Sequence, residues 1–157
     1  MKKKLLAVNI VLFFALSACS DKSKDKLVGN WSSPCHGKAK LNFSFKSDGT
    51  GSRSKHYYST DLCETKESSR VELFDYIIGE PIESNENIFA LDISMKKAES
   101  YEKSTLVSSK GVDGKFYTIF EVDANDNLHF GNNGDDNKAN RPTVINKYTG
   151  TRLLTKY

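Results

Sequence analysis

Nucleophilic catalysis needs a Ser, Cys or Thr with a base within hydrogen-bond reach and a third group to orient that base. Only His36, His56 and His129 are available as such a base. None of them sits in a nucleophile elbow, and no Gly-x-Ser-x-Gly occurs. His56 and His129 fall within predicted strands, where polar surface or barrel-lining positions account for them. Asp123-x-Asn125-x-Asn127 matches the start of an EF-hand calcium loop, but Leu128 stands where the loop needs Gly and Gly134 where it needs the closing Glu. Asn132 to Asn137 supply more oxygens, of the kind that exposed turns contain anyway. No Gly-rich phosphate cradle is present, and the basic residues between Arg53 and His56 are too few for a polyanion site. The chemistry-bearing residues therefore point to binding and not turnover, with no enzyme activity, metal or cofactor expected.

What positions these residues begins with an address. Lys2, Lys3 and Lys4 precede an apolar stretch from Leu5 to Ala18 that is broken only by Asn9 and Ser17. A bilayer-spanning helix takes about 20 apolar residues, so this stretch is short for a span and suits a signal h-region. Leu16-Ser17-Ala18-Cys19 then resembles the bacterial lipobox, which implies cleavage before Cys19 and acylation of its thiol and new amine. One acyl chain holds marginally, at about 0.8 kcal/mol per buried methylene, whereas two or three anchor stably. Ser20, where inner-membrane lipoproteins of enterobacterial type tend to carry Asp, implies the outer membrane, on its periplasmic face or at the cell surface. Ser20 to Lys26 has no apolar residue and reads as a solvated tether. The expected organisation is thus signal peptide 1–18, lipidated Cys19 and flexible tether 19–26, and one folded domain 27–157.

Processing changes the charge. The whole chain has 23 Lys and Arg against 20 Asp and Glu, but residues 1–18 carry three of the lysines and no acid, so the remainder is balanced. A balanced surface argues against nucleic acid as a partner, which demands a concentrated positive footprint. With Cys19 assigned to the lipobox, Cys35 and Cys63 remain as a pair, and an oxidising periplasm would join them. The alternative is a tetrahedral zinc site that adds His36 and His56 to the two thiols.

The body reads as strands. Leu41, Phe43 and Phe45 alternate with Asn42 and Ser44, and Phe89, Leu91, Ile93 and Met95 alternate with Asp92 and Ser94. Turn chemistry at 47–51, 79–81, 112–114 and 123–127 separates such runs. The pattern predicts about eight strands, at 27–32, 38–46, 54–60, 70–78, 87–96, 115–122, 127–131 and 143–148, with one helical turn over 98–103. Short strands joined by hairpin-length links predict an all-β fold, a single antiparallel meander β-barrel, because closure removes unpaired edges.

Leu27-Val28-Gly29-Asn30-Trp31 resembles the Gly-x-Trp signature that opens lipocalin-like barrels. The resemblance implies that Trp31 plugs the closed end and that a late Arg packs across its indole, with Arg152 as first candidate and Arg141 as second. Trp31-x-x-x-Cys35, Tyr58-x-x-Asp61-x-Cys63, Leu128-His129-Phe130-Gly131 and Arg141-Pro142-Thr143 are also similar to elements of an uncharacterised group of bacterial lipoproteins. The first half further resembles the extracellular barrel of the adenomatosis polyposis coli down-regulated family, which holds lipid-like ligands. The barrel interior is then the candidate site for a small hydrophobic or amphipathic ligand, lined by Trp31, Phe43, Phe45, Phe89, Leu91, Ile93 and Phe120. Those side chains are also large enough to pack solid. In that case function moves to the loops, the 131–141 loop above all, and the partner is an envelope protein.

Overall fold

The computed structural model describes residues 25–82, 85–132, 134–147 and 154–157. Its strands are β1 (Gly29–Ser32), β2 (Ala39–Phe45), β3 (Thr50–Tyr58), β4 (Lys66–Ile82), β5 (Asn85–Glu102), β6 (Thr105–Val122), β7 (Asn127–Phe130) and β8 (Leu154–Lys156). Each pairs antiparallel with its neighbour in sequence, and β8 closes the barrel by pairing with both β7 and β1. The predicted all-β antiparallel meander of about eight strands is the fold the chain adopts.

Side-chain alternation follows the closure. Trp31 lies opposite Phe43, Gly29 opposite Phe45, and Gly51 opposite Phe74, so these positions share the inner face. Tyr76, Ile93 and Leu91 continue that face onto β4 and β5, and Phe120 and Leu128 carry it to β6 and β7. Strand lengths make the two ends unlike. β4, β5 and β6 run to 17, 18 and 18 residues, whereas β1, β7 and β8 have 4, 4 and 3. The cylinder is therefore complete only around its short strands. Past them the long strands continue as an open trough, and its inward positions Arg53, Lys55 and Tyr57 are exposed to solvent.

Several expectations need correcting. Residues 98–103 form no helical turn: they lie in β5 as far as Glu102, paired with β4 on one side and β6 on the other. Two ladders of backbone hydrogen bonds outweigh the weak helical preference of Ala98 and Glu99. Residues 143–147 form no strand. Ile145 makes only an isolated bridge to Gly131, and the closing strand is β8. Pro142 packs against Gly131, where an added Cβ would lie 2.6 Å from Pro142 Cγ and 2.6 Å from Ile119 Cγ1, so the segment runs across the outer wall. The expected turns at 79–81 and 112–114 lie within β4 and β6, next to register shifts opposite β5. Residues 25–27 form a helical turn that ends on the fully buried Leu27, so the tether gives way to structure at Asp25. The expected signal peptide, Cys19 and most of the tether lie outside the described residues.

Candidate functional site

Six of the seven residues assigned to ligand contact, Trp31, Phe43, Phe45, Leu91, Ile93 and Phe120, belong to one buried cluster, and Phe89 packs against it. Their rings touch one another: Phe43 stacks on Phe45 at 6.0 Å, Phe45 meets Tyr76 edge-on at 5.2 Å, and Phe89 lies 5.7 Å from Phe120. A Cβ at Gly51 would overlap the ring of Phe74, so that glycine lets one more aromatic into the interior. The closed end is therefore filled by side chains.

Trp31 is fully buried in that plug. Its Nε1 donates to the carbonyl of Leu27 at 2.9 Å, and Lys156 Nζ lies 5.5 Å from the indole centroid. The lysine reaches that position across Gly29. With φ at +143°, position 29 favours glycine, and an added Cβ 2.6 Å from Lys156 Cε would also displace that lysine from its place over the indole. The Gly-x-Trp pair is thus one device. Arg152, the expected partner of Trp31, lies outside the described residues. Arg141, the second choice, serves elsewhere: it donates to Thr118 O at 2.9 Å, pairs with Asp92 and covers the ring of Tyr117.

The open end is where space remains. Leu41, Phe43, Phe130 and Leu154 form the apolar part of a cleft of about 390 Å³, with Ser33, Pro34, His36 and Lys40 at its rim and Lys55 at one side. A second hollow of about 390 Å³ shares Leu41 and Lys55 with the first and adds Arg53, Tyr57, Arg70 and Glu72. Glu72 is 7 % exposed, and its two oxygens are divided between two guanidinium groups. Arg53 Nε donates to Oε2 at 2.7 Å, and Arg70 Nη2 stands 3.0 Å from Oε1. Lys55 Nζ lies 5.0 Å from the ring of Tyr57. Taken as a polyanion site, Arg53 to His56 hold too few charges, and that reading does not join them to Arg70 and Glu72 in this group. Its signal was present as Arg53-x-Lys55-x-Tyr57 and Arg70-x-Glu72, charged positions recurring with the period of one strand face.

The other candidates separate cleanly. Cys35 and Cys63 form a disulfide, with Cα atoms 5.9 Å apart, so the two thiols hold no zinc. His56 faces outward beside a groove of about 610 Å³ that Lys40 and Lys66 also line, and its Nε2 is 3.0 Å from Ser54 Oγ. Burial, then the charges of Lys66 and Lys40, push the imidazole pKa down. Ser54 and His56 make a pair with no third group: among the described residues His56 Nδ1 has no partner. His129 is neither on the surface nor lining the barrel. It is 3 % exposed on the outward face of β7, and its Nε2 donates to Asp123 Oδ2 at 3.0 Å. Asp123 also accepts the backbone N–H groups of Asn125 and Asn127, so the apparent calcium run is a self-capped turn. Among the described residues no three His, Cys, Asp or Glu side chains converge on a metal-sized site, and no helix is long and apolar enough to cross a membrane.

Residues 134–147 are strapped to the outer wall. Asp135 bridges Tyr117, Asn137 caps a 3-10 turn at Lys138–Asn140, and Arg141 and Lys138 converge on Asp92. Between this strap and the end of β4 lies a groove of about 820 Å³, with Pro81, Ile82, Ala90 and Val144 among its lining residues. No protein-family model matches the chain, and no curated protein matches it in sequence.

Proposed function

We propose that this chain is a lipoprotein anchored to the outer membrane through acylated Cys19, and that its barrel, lipocalin-like in plan, binds a small amphipathic ligand without turning it over. The observation that carries the ligand reading is the cleft of about 390 Å³ floored by Leu41, Phe43, Phe130 and Leu154 at the open end. Small-ligand sites are mostly apolar clefts of about 300–1,000 Å³ with a few polar groups placed to fix orientation. The ligand enters above the aromatic plug, and of the residues first assigned to contact it Phe43 is the one that meets it. Intact mass of the chain purified from bacterial membranes tests the anchor: residues 1–18 should be gone and Cys19 should carry acyl mass. Binding of phenylnaphthylamine, an uncharged apolar dye, tests the cleft. Leu41→Trp should abolish the dye's fluorescence gain and leave the fold intact by circular dichroism. An unmodified residue 19 overturns the anchor, and dye binding indifferent to Leu41→Trp overturns the cleft.

A second reading is a partner-binding module working through its loops. The filled interior and the strapped 134–147 segment support it, with the groove beside Arg141 as the contact face. Undiminished binding of an envelope protein by a chain carrying Leu41→Trp would favour it over the first.

A further inference from the structure

The polar half of the open end has a composition of its own. Its lining holds three cations, Arg53, Lys55 and Arg70, against one carboxylate, Glu72. That carboxylate is nearly enclosed, at 9 % side-chain exposure, while the two arginines it holds are 48 % and 58 % exposed. A buried acid with one guanidinium on each oxygen works as a bracket: it fixes two flexible side chains and neutralises only one of their charges. Each guanidinium has five N–H donors in a fixed fork. Arg53 directs Nε and Nη2 at Glu72 and Arg70 directs Nη2, which leaves donors on both. Lys55 stands between this bracket and the apolar cleft, because it lines both hollows. Lys110 shares the same face by register, opposite Ala98, which itself lies opposite Glu72.

Resting on the ligand reading above, we infer that the ligand is a single-tailed amphiphile with an oxyanion head, a carboxylate, sulfate or phosphate. Arg53, Lys55 and Arg70 hold the head, and Leu41 and Phe43 hold the tail. Charge-assisted pairs of guanidinium with oxyanion are short and often bidentate, so an exposed but pre-positioned arginine pair discriminates by head group. An uncharged head leaves the surplus charge unanswered, and a cationic head meets repulsion.

Isothermal titration of the purified full chain with octanoate, octyl sulfate, 1-octanol and octyltrimethylammonium holds the tail constant and varies only the head. The two anions should bind at least about tenfold more tightly than octanol, and the cation most weakly. Lys55→Met and Arg70→Met, at exposed positions, should each weaken the anions about tenfold, and Arg70→Met, which lies outside the apolar cleft, should leave octanol within about twofold. Octanol binding as tightly as the anions overturns the head-group inference and leaves the cleft reading standing. Failure of all four to bind overturns both. The wild-type series decides between these outcomes without any variant.

Discussion

Replacing Asp123 by Ala removes a carboxylate that four donors share. Oδ1 accepts the backbone N–H groups of Asn125 and Asn127, each at 2.9 Å, and Asn127 Nδ2 at 3.1 Å. Oδ2 accepts the same Nδ2 at 3.0 Å and His129 Nε2 at 3.0 Å. These donors do not lose equally. The backbone groups lie in a turn that water can reach, so solvent replaces much of what they give up. His129 has a side-chain exposure of 4 %, and its stranded N–H finds no such substitute. A buried donor left unsatisfied costs about 1–3 kcal/mol, and bonds to a charged acceptor contribute about 1.5–3 kcal/mol each without adding fully. The expected loss for Asp123→Ala is therefore about 2–4 kcal/mol, and about 1–2 kcal/mol for Asp123→Asn, which keeps an oxygen for the turn. Urea unfolding followed by circular dichroism at pH 7 reads both. The pH profile adds a second arm. Partial burial opposes the charged form, but bonds from His129, Asn127 and Asn125 outweigh it and hold the Asp123 carboxyl well below its usual range. A depressed carboxylate contributes its full stability above the unfolded value, near 3.8, and loses it as pH falls toward the folded one. The gap between wild type and Asp123→Asn should thus hold near neutral pH and narrow progressively below about pH 4. An Asp123→Ala loss under about 0.5 kcal/mol, or a gap that stays constant down to pH 3, would refute this account of the turn.

Three further perturbations probe the frame. Gly29→Ala forces an L-residue to φ +143° and drives a Cβ against Lys156, for an expected loss of about 1–3 kcal/mol and a lower Tm; an unchanged Tm would mean that Lys156 and the backbone yield freely. Arg141→Met leaves Asp92 only its longer contact with Lys138 and strips the Thr118 carbonyl of its donor, so amide exchange across 134–147 should rise by tenfold or more while β2 and β3 keep their protection; equal protection throughout would show the strap is held by other contacts. Reducing the Cys35–Cys63 bridge, 28 residues apart in sequence, should lower stability by up to about 3.5 kcal/mol, a loss that Cys35→Ser with Cys63→Ser reproduces and that added reductant then leaves unchanged.

Alternation in the sequence found strands where the cylinder buries one face. β2 and β7 lie where Leu41, Phe43 and Phe45, and then Leu128 and Phe130, placed them. It failed where no face is buried. Residues 105–111 of β6 are exposed throughout, so the strand's first third carries no apolar period, and its start reads as a turn and loop. The closing strand failed for the opposite reason. Among the described residues β8 has three residues and one apolar inward side chain, Leu154, too few to show a period, while Thr143, Val144 and Ile145 carry stronger strand propensity. Pro142 and Arg141 fix those residues on the outer wall instead, an arrangement that depends on contacts with Gly131, Asp92 and Thr118 that lie far off in the chain.

The charges from Arg53 to His56 are too few for a polyanion site, and they amount to nothing more only while "inward" is equated with "apolar". That equation holds only around β1, β7 and β8, where the sheet closes and an inward side chain loses its water. Higher on β3 and β4 the same alternation continues over a trough, and an inward position there keeps enough solvent to carry charge: Arg53 and Arg70 are half exposed, and only Glu72, between them, is shut away. A buried carboxylate without partners would cost several kcal/mol, which the two arginines offset, so the charges come as a set. The aromatic plug and the charged bracket therefore follow from one cause, the mismatch of long and short strands. That mismatch sets an apolar floor at Phe43 directly below a cationic rim at Lys55, which is the polarity an anionic amphiphile would bring with it.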